Sequence, residues 1–346
     1  MKQVDYIIVG CGLASIAFCE QLEAAKKTYI VFDDTSQRSS LVAAGLYNPV
    51  ILKRFTEVWK AKEQLEMAIP VYSNIEKKLN VKIDYKLRIL RLFNSIEEQN
   101  KWFTASDKPN LEPYLSTRLV KNNNNCISAE YGYGEVLHTG RLDTETLIKS
   151  YKNYLSEENK FIEETFEYDD IQFQNNLVQY RDITAKQIVF AEGFGVKQNP
   201  FFKDIPLNGN KGEILTIKAP KLKIDYVIKS SVFIIPLGND LYNVGSTYNR
   251  VDKSKTPTLE AKNELLSKLD KILKCDFKVV NHVTGIRPTT KDRRPLVGQH
   301  AEHKNLYVLN GLGTRGVMIA PYVAEKLFNF IEHGKVLDTE IDVNRF

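Results

Sequence analysis

The stretch DYIIVGCGLASIAFCEQLEAAKKTYIVFDD, Asp5 to Asp34, decides the fold of this chain. Tyr6 to Val9 and Tyr29 to Phe32 are apolar runs, typical of strands that are buried on both faces of a parallel sheet. The residues between them recur at helical spacing and give one packing face: Leu13, Ala17, Phe18 and Leu22. The stretch therefore predicts a βαβ unit with almost no spare residues.

Two glycines separate the first predicted strand from the helix. Gly10 and Gly12 stand where a βαβ unit turns sharply and where bare backbone can approach a pyrophosphate. Leu13 and Ala14 then open the helix at its anion-binding end. Ser15 occupies the third glycine position of the G-x-G-x-x-G pattern, and serine is small enough to allow the helix to pack close to the strand. The pattern predicts a dinucleotide-binding turn.

An acidic pair ends the second predicted strand. Asp33 lies where a ribose-binding carboxylate is expected, about 20 residues after the glycine turn, and Asp34 follows it. A carboxylate at this position favours a free ribose 2′-hydroxyl over a 2′-phosphate. The expected dinucleotide is therefore FAD or NAD.

Length and composition limit the classes that remain. The chain has 346 residues with 43% hydrophobic content, which is enough for two domains with a large core. No apolar run approaches the roughly 20 residues of a membrane span, and the first predicted strand leaves no room for a secretion signal, so we expect a cytoplasmic protein. The four cysteines have no CxxC spacing, which predicts neither a metal site nor a disulfide framework: Cys11, Cys19, Cys126 and Cys275.

The charge is mildly basic. The chain has 48 Lys and Arg against 43 Asp and Glu, a net charge of +5, which is far below that of a dedicated nucleic-acid binder. Two clusters of basic residues are interpreted as solvated faces: Lys53, Arg54, Lys60 and Lys62, and Lys291, Arg293 and Arg294.

The middle of the chain alternates between helical and strand patterns. Residues 55–79 predict a helix with a kink at Pro70, and residues 140–154 predict another. Residues 83–93 and 129–136 predict strands. A further buried strand is predicted over 186–193, after a hairpin turn at Asn175-Asn176.

From Lys211 the pattern becomes one of antiparallel strands. Three strands are predicted in succession, GEILTIKA, SVFIIPLG and LYNVGSTY, with a turn at Gly238 to Asp240 between the last two. Thr258 is expected to cap a helix, and residues 277–285 return as a strand. The predicted fold is mixed α/β and α+β: a Rossmann-like dinucleotide-binding domain (1–76, 138–204 and 285–346) interleaved with a smaller antiparallel-sheet substrate domain (77–137 and 205–284).

A second glycine turn lies near the C-terminus, in NLYVLNGLGTRGVMIAPYVAEKL, Asn305 to Leu327. Asn305 to Asn310 predicts a strand, and a helix is expected from Val317 onward. Gly311, Gly313 and Gly316 lie between them. Because a helix N-terminus favours nearby negative charge, a second such terminus suggests an extended, two-ended cofactor.

At this point the chain resembles the D-amino-acid oxidase and glycine oxidase family of FAD-dependent enzymes, over essentially its whole length. The combination RPTTKDRRPLVG with LNGLGTRG is most similar to the flavin domain of the bifunctional enzyme that completes wobble-uridine modification in tRNA. The resemblance rests on seven signals in family order: GCGLAS with Asp33, Ala43 to Gly45, GEVLHTGRL at Gly134 to Leu142, Ala191 to Gly193, GSTY at Gly245 to Tyr248, GIRPTT at Gly285 to Thr290, and the C-terminal glycine turn.

The resemblance implies FAD as the cofactor. No cysteine lies in the C-terminal glycine turn, so we expect the flavin to be held non-covalently. The resemblance implies four groups of cofactor-binding residues, around the pyrophosphate, the ribose, the flavin and its pyrimidine edge: Gly10, Gly12 and Ser15; Asp33; Ala44 and Gly45; Gly313, Thr314, Arg315, Gly316 and Val317. Five further residues are expected to bind the cofactor: Leu13, Ala14, Asp34, Ala191 and Gly193.

The resemblance also implies a substrate site at Arg287, the arginine of the GxRP motif. A planar guanidinium makes a bidentate pair with a carboxylate, which fits the same assignment. Tyr248 is a second candidate for the substrate pocket. The expected activity is oxidation of the C–N bond of an amine that carries a carboxylate, with a small amine or amino acid as partner and no metal. The alternatives are the same chemistry on tRNA, an NAD-dependent dehydrogenase and a flavoprotein without turnover.

Overall fold

The computed structural model describes residues 2–174 and 176–346. The helices are α1 Leu13–Ala24, α2 Ala61–Leu79, α3 Ile96–Ser106, α4 Thr144–Glu157, α5 Leu259–Leu269 and α6 Gly316–His333. The strands are β1 Lys2–Val9, β2 Tyr29–Phe32, β3 Leu46–Tyr47, β4 Val50–Ile51, β5 Thr56–Glu57, β6 Asp84–Tyr85, β7 Ile89–Leu92, β8 Leu115–Val120, β9 Tyr133–Val136, β10 Gly140–Leu142, β11 Phe161–Ile162, β12 Ile171–Gln174, β13 Leu177–Tyr180, β14 Ile183–Phe190, β15 Leu207–Lys218, β16 Val227–Lys229, β17 Phe233–Gly238, β18 Leu241–Gly245, β19 Lys278–Thr290, β20 Leu296–Gln299 and β21 Leu306–Asn310.

The predicted βαβ unit is confirmed and forms the centre of the first sheet. β1 pairs in parallel with β2 on one side and with β14 on the other, and β14 pairs in parallel with β21. Val9 is directly opposite Phe190, which is opposite Val308, so β1, β14 and β21 end side by side. Both glycine turns therefore leave the same edge of the sheet. β12 and β13 add an antiparallel hairpin; Asn175 of its predicted turn lies outside the described residues.

The second sheet is mainly antiparallel, as predicted, and runs in the order β19-β15-β18-β17-β16-β7-β9-β8. Its longest pair joins β15 to β19 from Leu207–Thr290 to Lys218–Lys278. Thr258 caps α5, because its side chain accepts a hydrogen bond from the Ala261 backbone N–H. The division of the chain into two interleaved domains stays a prediction, and β19 spans its boundary at residue 285.

Two predicted helices begin later than expected. Residues 55–60 do not belong to α2, because Thr56–Glu57 pairs with Val50–Ile51 in a short hairpin, and Phe55 and Lys60 have φ of 48° in the left-handed region. Pro70 lies within the helix, as predicted. Residues 140–142 are a strand, and α4 starts after Asp143, whose carboxylate caps it by accepting from Thr146 N.

The strand predicted over 83–93 is two strands that enter different sheets. Asp84–Tyr85 pairs with β10, which also pairs with β3 in a three-stranded sheet. Ile89–Leu92 joins the second large sheet between β16 and β9. Alternation of apolar residues continues across both strands, so the pattern could not indicate the change of sheet.

The largest buried apolar cluster packs α1, α2 and α6 against the first sheet, with Phe18, Ile75 and Leu327 fully buried in it. A separate cluster fills the far face of the second sheet beneath α5. Among the described residues, no helix combines the length and the apolar character needed to cross a bilayer.

Candidate active site

A cleft of about 1690 Å³ opens between the carboxyl edge of the first sheet and one face of the second. This volume exceeds the ~300–1,000 Å³ of a usual small-molecule site, so the cleft has room for an extended cofactor together with a substrate. It brings together all the predicted site residues except Ser15: Gly10, Gly12, Leu13, Ala14, Asp33, Asp34, Ala44, Gly45, Ala191, Gly193, Tyr248, Arg287, Gly313, Thr314, Arg315, Gly316 and Val317.

The start of α1 forms one end of the cleft. Gly10 has φ of 97°, and a Cβ on it would lie 2.7 Å from the Ala191 carbonyl oxygen, so the turn requires glycine here. Gly12, the N-cap of α1, provides no side-chain cap, and the first turn has no acidic residue. Ser40 Oγ accepts from Leu13 N at 3.4 Å, and other backbone N–H groups of the turn are available to an anion. Ser15 is buried inside α1, so it serves the helix rather than the cleft lining.

Asp33 is held in place from two sides. Its Oδ1 accepts a hydrogen bond from Cys11 N at 3.1 Å, and its Oδ2 pairs with the ammonium of Lys152 from α4. Asp34 accepts from Ser36 N at 2.9 Å. Sequence reasoning missed Lys152, because it lies more than a hundred residues from Asp33 and no local pattern connects α4 to this strand end.

The turn after β14 contributes a buried carboxyl group. Glu192 accepts hydrogen bonds from Tyr168 Oη at 2.5 Å and from Asn199 Nδ2 at 2.8 Å. Burial raises the pKa of Glu192 to about 7, although both hydrogen bonds oppose this shift. The sequence predicted the turn at Ala191 to Gly193 but did not indicate that the pKa of Glu192 is raised.

The flavin-lining segment predicted at Ala44 and Gly45 passes close to the strand before α4. Gly45 has φ of 74°, and a Cβ on it would lie 1.9 Å from the Leu142 carbonyl oxygen. Any side chain at this position would push the segment away from its neighbour. Gly45 is therefore needed for the backbone to line the cleft where it does.

The start of α6 lies next to the start of α1. A Cβ on Gly316 would lie 3.2 Å from Leu13 Cδ1, and α6 also begins without a side-chain cap. Arg315 precedes it and donates from Nη1 to the Asn48 carbonyl at 3.1 Å. Burial lowers the pKa of Arg315 to about 10. Two helix N-termini and buried positive charge therefore face one cavity.

Arg287 projects from β19 across the neighbouring strand. A Cβ on Gly212 would lie 2.0 Å from Arg287 Nη2, so the guanidinium occupies the space above that glycine. Its Nη1 donates to the Thr247 carbonyl at 3.3 Å, and its carbon lies 4.7 Å from the centre of the Tyr248 ring. Burial lowers the Arg287 pKa, and no carboxylate within the described ranges offsets it. The guanidinium keeps its charge and has donors left over.

Asn210 is a polar residue of the cleft that the sequence did not single out. It is directly opposite Arg287 in the β15–β19 pair and lines the same cavity. Its amide oxygen is buried and finds no hydrogen-bond partner in the part of the chain that the structure describes. A buried acceptor of this kind usually has a partner, so a ligand N–H would complete it.

The mouth of the cleft is strongly basic. The two clusters interpreted as solvated faces each contribute exposed side chains to its rim, and the loop after Tyr248 adds two more cations. The basic rim residues are Lys53, Arg54, Arg250, Lys253, Lys291, Arg293 and Arg294. Asp292 is the acidic residue of the same stretch, and Arg345 pairs with it at 2.9 Å. The rim can therefore attract anions.

A parallel-sheet dinucleotide turn, a second helix terminus and an arginine-bearing sheet around one cleft define a dinucleotide-dependent oxidoreductase. Residues 5–329 match the model of the FAD-dependent oxidoreductase family, and the chain belongs to this family. This match decides between the FAD and NAD that the acidic pair left open. The cofactor is FAD, and the glycine cradles and uncapped helix termini of the cleft fit it.

Among relatives, glycine oxidase of Bacillus subtilis is 28% identical over 162 residues, covering 45% of this chain and 43% of that protein. The tRNA 5-methylaminomethyl-2-thiouridine biosynthesis bifunctional protein MnmC of Shewanella halifaxensis is 26% identical over 181 residues, covering 41% of this chain and 28% of that protein. The aligned parts thus span less than half of either relative. The crystal structure of glycine oxidase from Geobacillus kaustophilus superposes with a TM-score of 0.79 at 17% identity, covering 100% of this chain and 98% of that chain, which confirms the fold.

Proposed function

We propose that this protein oxidises the C–N bond of an amine that carries a carboxylate, such as a D-amino acid, glycine or an N-substituted glycine. Bound FAD supplies the acceptor for the hydride, at flavin N5. Loss of that hydride from the carbon next to nitrogen, together with a proton from nitrogen, would leave an imine, which water would hydrolyse to a carbonyl compound and an amine or ammonia. We also infer that the flavin is held non-covalently and that the protein acts in the cytoplasm.

The proposal rests on the environment of the Arg287 guanidinium, which has no carboxylate partner among the described residues. The guanidinium is largely removed from solvent although the residue is only half-buried, has unused donors and lies within the cleft that the cofactor-binding turns form. A buried cation without a carboxylate is costly, so a ligand carboxylate is the natural partner. Asn210, opposite Arg287, offers an acceptor for the substrate N–H.

The chain's contribution would be positioning and electrostatics. Arg287 would fix the carboxylate in a bidentate pair, and Tyr248 would hold the guanidinium plane from the open side. The N-terminus of α6 and Arg315 would favour negative charge that develops at the pyrimidine edge of the cofactor. Gly12 and Ala14 would bind the pyrophosphate through backbone N–H groups. Gly10, whose own N–H donates to the Phe32 carbonyl, would let the backbone approach it closely.

The test is an anaerobic bleaching screen of the yellow protein. Glycine, sarcosine, D-amino acids and their decarboxylated analogues are mixed with it, and loss of flavin absorbance is followed. We expect bleaching by amines that carry a carboxylate and little by the analogues. Bleaching by neither set would leave a flavoprotein without turnover on these substrates.

A second candidate is removal of a carboxymethyl group from a modified wobble uridine in tRNA. The basic rim favours it, because Arg250, Lys291 and Arg293 are exposed around the mouth of the cleft and could contact phosphates. The chemistry would be unchanged, since the group removed is again an N-bound carboxymethyl group. Adding carboxymethylaminomethyl-modified tRNA to the anaerobic screen tests it directly.

A further inference from the structure

One row of directly paired residues crosses the second sheet from β19 to β7. Each member is opposite the next in the strand register, so their side chains leave the same face of the sheet. The row is Val283, Ile214, Gly245, Phe233, Lys229 and Arg91. Because side chains alternate along a strand, Arg287 shares this face with Val283. Lys229 and Arg287 therefore project into the same cleft, which both line.

The two cations lean toward each other over the sheet. The Arg287 guanidinium lies over Gly212 of β15, while Lys229 Nζ lies 4.9 Å from the centre of the Phe233 ring of β17. The Phe233 ring itself lies over Gly245 of β18, because a Cβ on that glycine would be 2.7 Å from Phe233 Cζ. Lys229 therefore reaches toward β18, the strand next to β15.

Lys229 has no compensating carboxylate within residues 2–174 and 176–346, and the charged groups that act on it are Arg315, Arg91 and Arg287. Arg91 is itself neutralised by Glu98, whose Oε1 lies 2.5 Å from Arg91 Nη2. Lys229 thus differs from its paired neighbour, although both stand on one face of the sheet. Burial, and then these three cations, lower the pKa of Lys229 to about 8.

Such an arrangement costs free energy unless an anion completes it. A carboxylate placed on Arg287 satisfies one cation and leaves the second. We propose that Lys229 is a second anion-binding group of the substrate site, and that the substrate is an amine with two acidic arms, an N-substituted glycine whose other arm also ends in a carboxylate.

Both cations stand on the same face of the second sheet and line one cleft, so a single substrate with a carboxylate on each arm can meet both. The inference rests on the proposed function, because it assigns the second half of the same substrate.

The experiment compares two acids of the same shape. N-(carboxymethyl)glycine has both carboxylates, whereas N-(carbamoylmethyl)glycine replaces one of them by a neutral amide. Flavin reduction rate and the apparent dissociation constant are measured anaerobically for both acids in wild type, Lys229→Met, Lys229→Gln and a surface control, Lys268→Met. Lys268 lies outside the cleft lining, on α5 next to Glu264.

In wild type and Lys268→Met, the ratio of flavin reduction rate to dissociation constant should be about 10- to 100-fold higher for the diacid than for the amide. One charge-assisted contact predicts a difference of this size. In Lys229→Met and Lys229→Gln this ratio should fall close to one. Equal treatment of the two acids by wild type overturns the inference, while bleaching by either acid still supports the proposed function.

The two hypotheses can also fail in the opposite combination. If neither acid bleaches the flavin, the proposed function fails for these amines, and the dissociation constants alone decide the role of Lys229. They are read from the perturbation of the flavin spectrum on binding. A diacid preference that survives in both Lys229 variants would overturn the inference as well.

Discussion

The guanidinium carbon of Arg287 lies 4.7 Å from the centre of the Tyr248 ring, with Gly212 beneath the same group. Tyr248 is 65% exposed, so it covers the guanidinium from the solvent side while its own ring stays at the cleft mouth. Stacking on the ring fixes the plane of the fork and leaves its edge for a carboxylate. We therefore expect Arg287 to act through a defined geometry as well as through charge.

Gly12→Val should lose the cofactor. A Cβ on Gly12 would already lie 3.1 Å from Ser40 Oγ, and the rest of a valine side chain would enter the space where backbone must meet the pyrophosphate. We expect the purified variant to be colourless. Flavin absorbance per protein is the measurement, and Gly334→Asn, at the open C-terminal end of α6, should stay yellow. Flavin content equal to wild type in Gly12→Val would contradict this pyrophosphate site.

Gly212→Ala tests the geometry of Arg287 without changing any charge. The added Cβ would lie 2.0 Å from Nη2, so the guanidinium must move off the strand. Because the far end of a flexible side chain can shift, we expect the protein to fold and to keep its flavin. The preference for amines that carry a carboxylate should fall by about 10-fold or more, since bidentate pairing depends on orientation.

Gly195→Ala is the matched control for this variant, since it adds a Cβ 3.3 Å from the Gln37 side chain at another part of the cleft. The measurement is flavin reduction by an amino acid and by its decarboxylated analogue. An unchanged preference in Gly212→Ala would show that the position of the guanidinium above the glycine is unimportant.

The local parts of this site could be predicted from sequence, because their signals are contained within about 30 residues. Two of these signals are glycine turns that join a strand to a helix, at Gly10 and Gly12 and before Gly316. The third is the acid Asp33, which directly follows a strand. It could also be predicted that these turns lie at one edge of the sheet, since the carboxyl ends of parallel strands meet there. The exact adjacency of β1, β14 and β21 required the structure.

The remaining parts depend on long-range pairing. Lys229 is brought into the cleft by a strand register that crosses six strands, and Lys152 reaches Asp33 because α4 packs beside it. Neither position can be recognised from a local sequence pattern. The late start of α2 has a similar cause: Phe55 adopts a left-handed backbone conformation within the Val50–Glu57 hairpin, and Lys60 adopts one as the N-cap of α2. The apolar spacing that predicted the helix continued through them.

RNA binding through the rim should depend on salt. Each phosphate contact releases counterions, so the logarithm of affinity should fall linearly with the logarithm of salt concentration, by about 0.7 to 0.9 per contact. Removing Arg250 and Arg293 together, as glutamines, should lower that slope by about two contacts. Mobility shifts with tRNA at several salt concentrations provide the measurement, with Lys304→Gln, outside the cleft lining, as control. Absence of binding at low salt would remove the tRNA candidate.

The diacid preference assigned to Lys229 should decline as pH rises. The pKa of Lys229 is lowered to about 8 by burial and by Arg315, Arg91 and Arg287, which face it from the residue before α6, from β7 and from β19. The cationic fraction therefore falls from about nine-tenths at pH 7 to about one-tenth at pH 9, and the preference should fall up to 10-fold with it. The amines of the diacid and of the amide ionise at different pH, so the ratio is compared with that of Lys229→Met at each pH, which removes the contribution of the substrates. A ratio that is constant over this range would contradict a titrating lysine at the second site.

The substrate class depends on Arg287, and two substitutions separate its charge from its shape. Arg287→Lys keeps the charge but loses the planar fork, whereas Arg287→Ala loses both, so alanine should be the more damaging. Losing a charge-assisted bidentate pair in a partly dry site costs about 2 to 5 kcal/mol, or roughly 30-fold to several thousand-fold in the specificity constant.

Both Arg287 variants should keep the flavin, because the guanidinium lies over Gly212 and Tyr248 on the sheet opposite the cofactor-binding turns. Decarboxylated amines should lose little, since they have no group for the arginine to hold. The decisive measurement is flavin reduction rate against concentration for an amino acid and its decarboxylated analogue in wild type and Arg287→Ala. Equal losses for both substrates would make Arg287 a structural residue that supports Tyr248 and the Thr247 carbonyl, and would withdraw the main support for amino-acid oxidation.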